Sequence, residues 1–133
     1  MLHHIDHINL VVQNLEKNVH FFGEILGFKE TMRATLEGEW IESIVGLKGV
    51  KAECVYMQPE DGPRIELLRY ESPVGEFPTR MGLANTGGIR HIAFRVEDIE
   101  AEHKRLTTKG VQFIGPPVDV PLTTVTHVSG RKR

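Results

Sequence analysis

A histidine appears twice in this chain in the same local setting, and the repeat limits the possible folds more than any other feature. Residues 5–22 read IDHINLVVQNLEKNVHFF, and residues 89–106 read IRHIAFRVEDIEAEHKRL. They align without a gap at an offset of 84, matching Ile5 with Ile89, His7 with His91, Ile8 with Ile92, Val12 with Val96 and Glu16 with Glu100. In each copy a short alternating segment carries the histidine and runs through Asn14 or Asp98 into a helix-forming stretch. This is the pattern of a duplicated β-α unit. Two like strands related by pseudo-symmetry can bring two imidazoles together, and paired imidazoles suggest a metal.

The alternation assigns faces. Ile8, Leu10 and Val12 share one side of the first strand, and His7, Asn9 and Val11 share the other. The first side is expected to meet the helix. Asn14 is its cap, and Leu15, Val19, Phe22, Ile25 and Leu26 fall at three- and four-residue spacing as its apolar stripe. Gly27 is the expected stop. Further strands are predicted over 28–36, 50–57 and 64–70, with 38–45 a short helix or loop and Glu60-Asp61-Gly62-Pro63 a turn. The first module, 1–72, therefore reads β-α-β-β-β. Residues 73–88 are rich in glycine and proline and read as a linker. The second module, 89–133, opens with the repeated strand and a helix over about 99–109 stopped by Gly110. A short strand at 111–114 and a β-rich stretch at 123–128 follow. The offset places the repeat partner of Glu66 near position 150, so the second module is expected to lack its C-terminal hairpin. On that basis the chain is expected to be a truncated form of a longer protein.

At 133 residues the chain fits one domain or two small modules sharing a core. A formal charge of −2 gives no electrostatic case for nucleic acid, and the run Arg131-Lys132-Arg133 is too short to make one. No apolar run approaches a membrane span. Cys54 is the only cysteine, which excludes an intrachain disulfide. With no leader pattern before the first strand, a cytoplasmic location is expected.

Glu66 alternates with Leu68 and Tyr70 on a strand rich in apolar residues, where a carboxylate is costly to bury without a metal or a cationic partner. Arg64 and Arg69 are the candidate partners for it in sequence. His7, Glu66 and His91 are thus the candidate metal ligands. Imidazole nitrogen and carboxylate oxygen suit Zn, Ni, Co, Mn or Fe. His3 and His4 precede the strand core, His20 and His103 lie on helices, and His127 lies in the ambiguous tail. Cys54 reads as a small packed residue, and Trp40 as either a surface residue or part of a substrate mouth. Gly87-Gly88 is a turn, since no helix follows it directly.

The set His7 in IDHINLVV, Glu66 in RIELLRY and His91 in GIRHIAFRVEDIEA, with the segment NLEKNVHFFGEILGFK, resembles the vicinal oxygen chelate superfamily. This superfamily includes glyoxalase I, methylmalonyl-CoA epimerase, extradiol dioxygenases and bleomycin-resistance proteins. The resemblance covers roughly residues 3–120. It implies an α+β fold of paired βαβββ modules forming a half-open barrel around a divalent metal. Carried over by position, the first-strand ligands fall on His7 and His91 and the first module's fourth-strand ligand on Glu66. The second module's fourth-strand carboxylate has no counterpart. The implied activity is that of a lactoylglutathione lyase-like, metal-dependent enzyme. It would chelate vicinal substrate oxygens and move a proton through an enediolate or enolate, with Glu66 as the catalytic group. The alternatives are a methylmalonyl-CoA epimerase-like isomerase, an extradiol dioxygenase and a non-enzymatic drug- or metabolite-binding module. The implied partners are a small-molecule substrate, such as a thiol conjugate or CoA thioester, and a second copy of the chain. The half-open barrel leaves sheet edges that a homodimer covers.

Overall fold

The computed structural model describes residues 1–121. The chain divides into two compact units, Met1–Thr79 and Arg80–Arg133. The division falls inside the Gly- and Pro-rich segment 73–88.

The first unit is an α+β layer. Its strands are β1 (His7–Val11), β2 (Lys29–Glu37), β3 (Lys51–Gln58) and β4 (Arg64–Ser72), in the order β1-β4-β3-β2. β1 runs parallel to β4, and the other pairs are antiparallel. β3 and β4 are joined by the predicted turn, where Gly62 takes φ 101°. Between β1 and β2 lies α1 (Leu15–His20), which continues as a π-helical turn at Phe21–Ile25. The predicted helix end holds. Gly27 takes φ 83°, which glycine adopts without the steric penalty of a side chain, and Phe22 meets Phe28 across the end with ring centroids 5.5 Å apart. The segment 38–45, read as a helix or a loop, is helix α2 (Glu39–Val45).

Register makes the core. On one face Ile65 and Leu67 of β4 lie beside Ile8 and Leu10 of β1 and beside Met57 and Val55 of β3. Leu67 and Val55 are 0% exposed, and α1 packs on β4 and β3, with Leu15 of α1 and Phe22 of the π-helical turn buried. A Cβ built on Gly23 would lie 3.5 Å from Met57 Cε, so the π-turn rests directly on β3. Each side chain buried in this way stabilises the fold by about 1.5–3 kcal/mol.

The second unit contains α3 (Ile99–Thr108), the predicted helix. Asp98 Oδ1 accepts from the backbone N–H groups of Glu100 and Ala101, at 3.0 Å each. In the first unit Asn14 Oδ1 accepts from Lys17 N at 2.9 Å. Asn14 has φ −122°, ψ 99°, and Asp98 has φ −127°, ψ 104°. The sequence repeat is therefore a structural repeat at the cap. It fails one step earlier. The strand expected over Ile89–Val96 is not formed, nor is the one at 111–114, and among the described residues this unit holds α3 and no strand. An extended segment becomes a strand only by pairing its N–H and C=O groups with a neighbour. The stretch 123–128 and His127 lie outside the described residues.

Candidate functional site

The sheet face opposite α1 carries a cluster of polar side chains, placed there by register. Asn9 of β1 pairs with Glu66 of β4, and Glu66 with Tyr56 of β3, giving one row across three strands. In the next row His7 pairs with Arg64, and in the row on the other side Leu68 pairs with Cys54. Alternation aims all of these residues at the same face.

Within the cluster His7 Nε2 lies 3.5 Å from Glu66 Oε2. The Glu66 side chain is 14% exposed and that of His7 is 38% exposed. Asn9 Nδ2 donates to Glu66 Oε2 at 2.8 Å. The Cys54 thiol lies against the other carboxylate oxygen, with Sγ 3.6 Å from Oε1. Tyr56 stacks on His7 with centroids 5.8 Å apart, and the Arg64 guanidinium lies 4.7 Å over the Tyr56 ring. On the far side of the imidazole, His7 Nδ1 is 2.8 Å from Asp6 Oδ2. Arg64 Nη2 hydrogen-bonds that same oxygen.

These contacts set the acid–base character of the surroundings. The hydrogen bonds from His7 and then Arg64 hold the Asp6 carboxyl below its ordinary range. Burial, and then the Glu66 charge, pushes the Cys54 thiol up to about 12. Burial and the Glu66 charge likewise raise the Tyr56 phenol. Both groups face Glu66 as neutral donors.

Of the residues singled out by sequence, His7 and Glu66 are brought together. His91 lies in the second unit and is exposed. Among the described residues no group of three or more His, Cys, Asp and Glu side chains is arranged to hold a metal ion. His7 and Glu66 fit as one half of such a site. Two ligand atoms about 2.1 Å from a tetrahedral ion stand roughly 3.4 Å apart, and Nε2 and Oε2 stand at 3.5 Å. Neither arginine considered in sequence neutralises Glu66 by direct contact. Arg69 binds Glu53 and Glu71, and Arg64 binds Asp6. Trp40 is 55% exposed on α2.

Sequence reasoning missed Asp6, Asn9 and Tyr56 as members of the cluster. Asn9 could have been found, because it alternates onto the face of His7. The repeat hid it, since its mate is Ala93, and the mate of Asp6 is Arg90.

The family model described as Glyoxalase/Bleomycin resistance protein/Dioxygenase superfamily matches residues 4–129. The uncharacterized protein YwbC of Bacillus subtilis (strain 168) is 27% identical over 125 residues, covering 94% of this chain and 82% of that protein. The crystal structure of a glyoxalase family protein from Bacillus cereus is 33% identical with a TM-score of 0.80, covering 91% of this chain and 81% of its own. A superfamily member from Sphaerobacter thermophilus is 24% identical with a TM-score of 0.61, covering 90% and 82%, a likeness of fold.

Proposed function

This chain belongs to the Glyoxalase/Bleomycin resistance protein/Dioxygenase superfamily, and from that premise we propose that it is a metal-dependent enzyme of the glyoxalase type. It binds a divalent cation through His7, Glu66 and His91, and it moves a proton on a small substrate that offers two neighbouring oxygens. The observation that carries this reading is the approach of His7 Nε2 to Glu66 Oε2 at 3.5 Å, from strands adjacent in space and 59 residues apart in sequence. His91 joins them on the strength of the repeat, which gives it the position of His7 in the second module.

A bound divalent cation supplies Lewis acidity, which stabilises negative charge on the two substrate oxygens. The chain does the rest. Asn9 fixes Glu66 Oε2 by donating to it. Glu66 takes the proton from the substrate carbon and returns it, as general base and then acid. Whether the product is a rearranged thioester or an epimer depends on the carbon to which the proton returns. The lyase and isomerase readings thus share one half-reaction.

The test is elemental analysis of the purified protein and of His7→Ala, Glu66→Ala and His91→Ala. About one cation per chain is expected in the wild type, with at least tenfold weaker binding in each variant while the circular dichroism is unchanged. Wild-type metal content in all three variants would overturn the reading. Exchange of substrate hydrogen with deuterated solvent, on a hemithioacetal and on a CoA thioester, then separates the two activities.

A further inference from the structure

We propose that Asp6 is a positioning residue that locks the His7 ring in the tautomer with hydrogen on Nδ1, so that the Nε2 lone pair faces Glu66. The inference deepens the reading of His7 as a ligand and rests on it for its purpose, though not for its geometry.

The assignment follows from who can donate. Asp6 Oδ2 receives two contacts, from His7 Nδ1 at 2.8 Å and from Arg64 Nη2. The guanidinium is charged at every accessible pH and only donates. An ionised carboxylate only accepts. With Asp6 ionised between these groups, the imidazole nitrogen must be the donor. Nε2 is then the lone-pair nitrogen of the neutral ring, and it faces Glu66 Oε2 at 3.5 Å. Two electron-rich atoms facing each other at that distance leave room for a cation between them. A free neutral imidazole prefers its hydrogen on Nε2, so this arrangement has to be imposed.

Arg64 in turn holds Asp6. Arg64 is the β4 residue in register with His7. Its backbone N–H donates to Asp6 O at 3.3 Å, and its guanidinium lies over Tyr56, the ring that stacks on His7. The imidazole is thus fixed by a carboxylate at its edge and an aromatic plane at its face. An outer carboxylate of this kind is typically worth 10–100-fold in metal affinity.

The test uses the full chain, labelled with 15N, without added metal and at a pH where the ring is neutral. Long-range 1H–15N correlation spectra distinguish the two tautomers, and the His7 signals are identified by their loss in His7→Ala. The wild type is expected to show hydrogen on Nδ1. Asp6→Ala is expected to show it on Nε2 and to bind Zn2+ 10–100-fold more weakly. Asp6→Glu, which restores the carboxylate, is expected to recover both. Asp6→Asn keeps the shape if the alanine variant fails to fold, and it is expected to show a mixture of tautomers. An unchanged Nδ1–H signature in Asp6→Ala, or in Asp6→Asn where the alanine variant does not fold, would overturn the proposal. If His7→Ala instead leaves Zn2+ binding untouched, the ligand reading fails, and the tautomer spectrum still decides the role of Asp6.

Discussion

Cys54 lies 1% exposed at the centre of the sheet, with its sulfur 3.6 Å from Glu66 Oε1. Alkylation needs a thiolate that can reach solvent, and this thiol is both buried and pushed up to about 12. The folded protein should therefore resist iodoacetamide at neutral and mildly alkaline pH and be fully labelled in denaturant. Intact-mass measurement reads the difference, and rapid labelling of the folded chain would contradict it. The sequence already spoke for a packed cysteine, because Cys54 lies on a strand between Glu53 and Val55. His7 and Glu66 were legible for different reasons, one through the repeat and one through the cost of a carboxylate in an apolar strand. The partners of the arginines were not legible. Arg69 meets Glu53 because the β3–β4 register sets them opposite each other. A shift of one residue would send each side chain to the other face of the sheet.

The helices show where local patterns suffice. Asn14 and Asp98 were readable as caps, and both cap, with backbone angles within 5° of each other. Asn14→Ala and Asp98→Ala should each cost about 1 kcal/mol, with Asp98→Ala the larger because its oxygen serves two N–H groups. Urea denaturation followed by helix ellipticity checks the order. The π-turn at Phe21–Ile25 was not readable. Spacing alone makes an i+5 turn look like a continued helix, since Val19, Phe22 and Ile25 keep facing inward in either form. The wider turn lies against Met57 of β3, a residue more than thirty positions away. The same limit applies to Ile89–Val96. Its alternation is as clear as that of β1, yet β1 is a strand because β4 lies alongside it. Periodicity states which face a strand would bury, and pairing decides whether the strand exists.

At the scale of the molecule, every buried apolar side chain among the described residues lies in the first unit, from Leu15 to Leu68. No helix among the described residues is long and apolar enough to cross a membrane. The first unit's sheet ends in β1 and β2, and α2 exposes Trp40 and Ile44, at 55% and 71%. Edge strands and exposed apolar residues favour self-association. We propose that the chain is a homodimer, so sedimentation equilibrium at micromolar concentration should return twice the chain mass. A monomer would count against this. The parallel pairing of β1 with β4 also decides what the site depends on. β2–β3 and β3–β4 join segments that are close in sequence, and their closure costs little entropy. The β1–β4 seam must close across more than fifty residues, and it is repaid only once its neighbours are in place. His7, Asp6 and Asn9 come from one side of that seam, and Glu66 and Arg64 from the other. A chain in which that seam is open holds no half-working version of the centre, because the two sides of the site meet only across it.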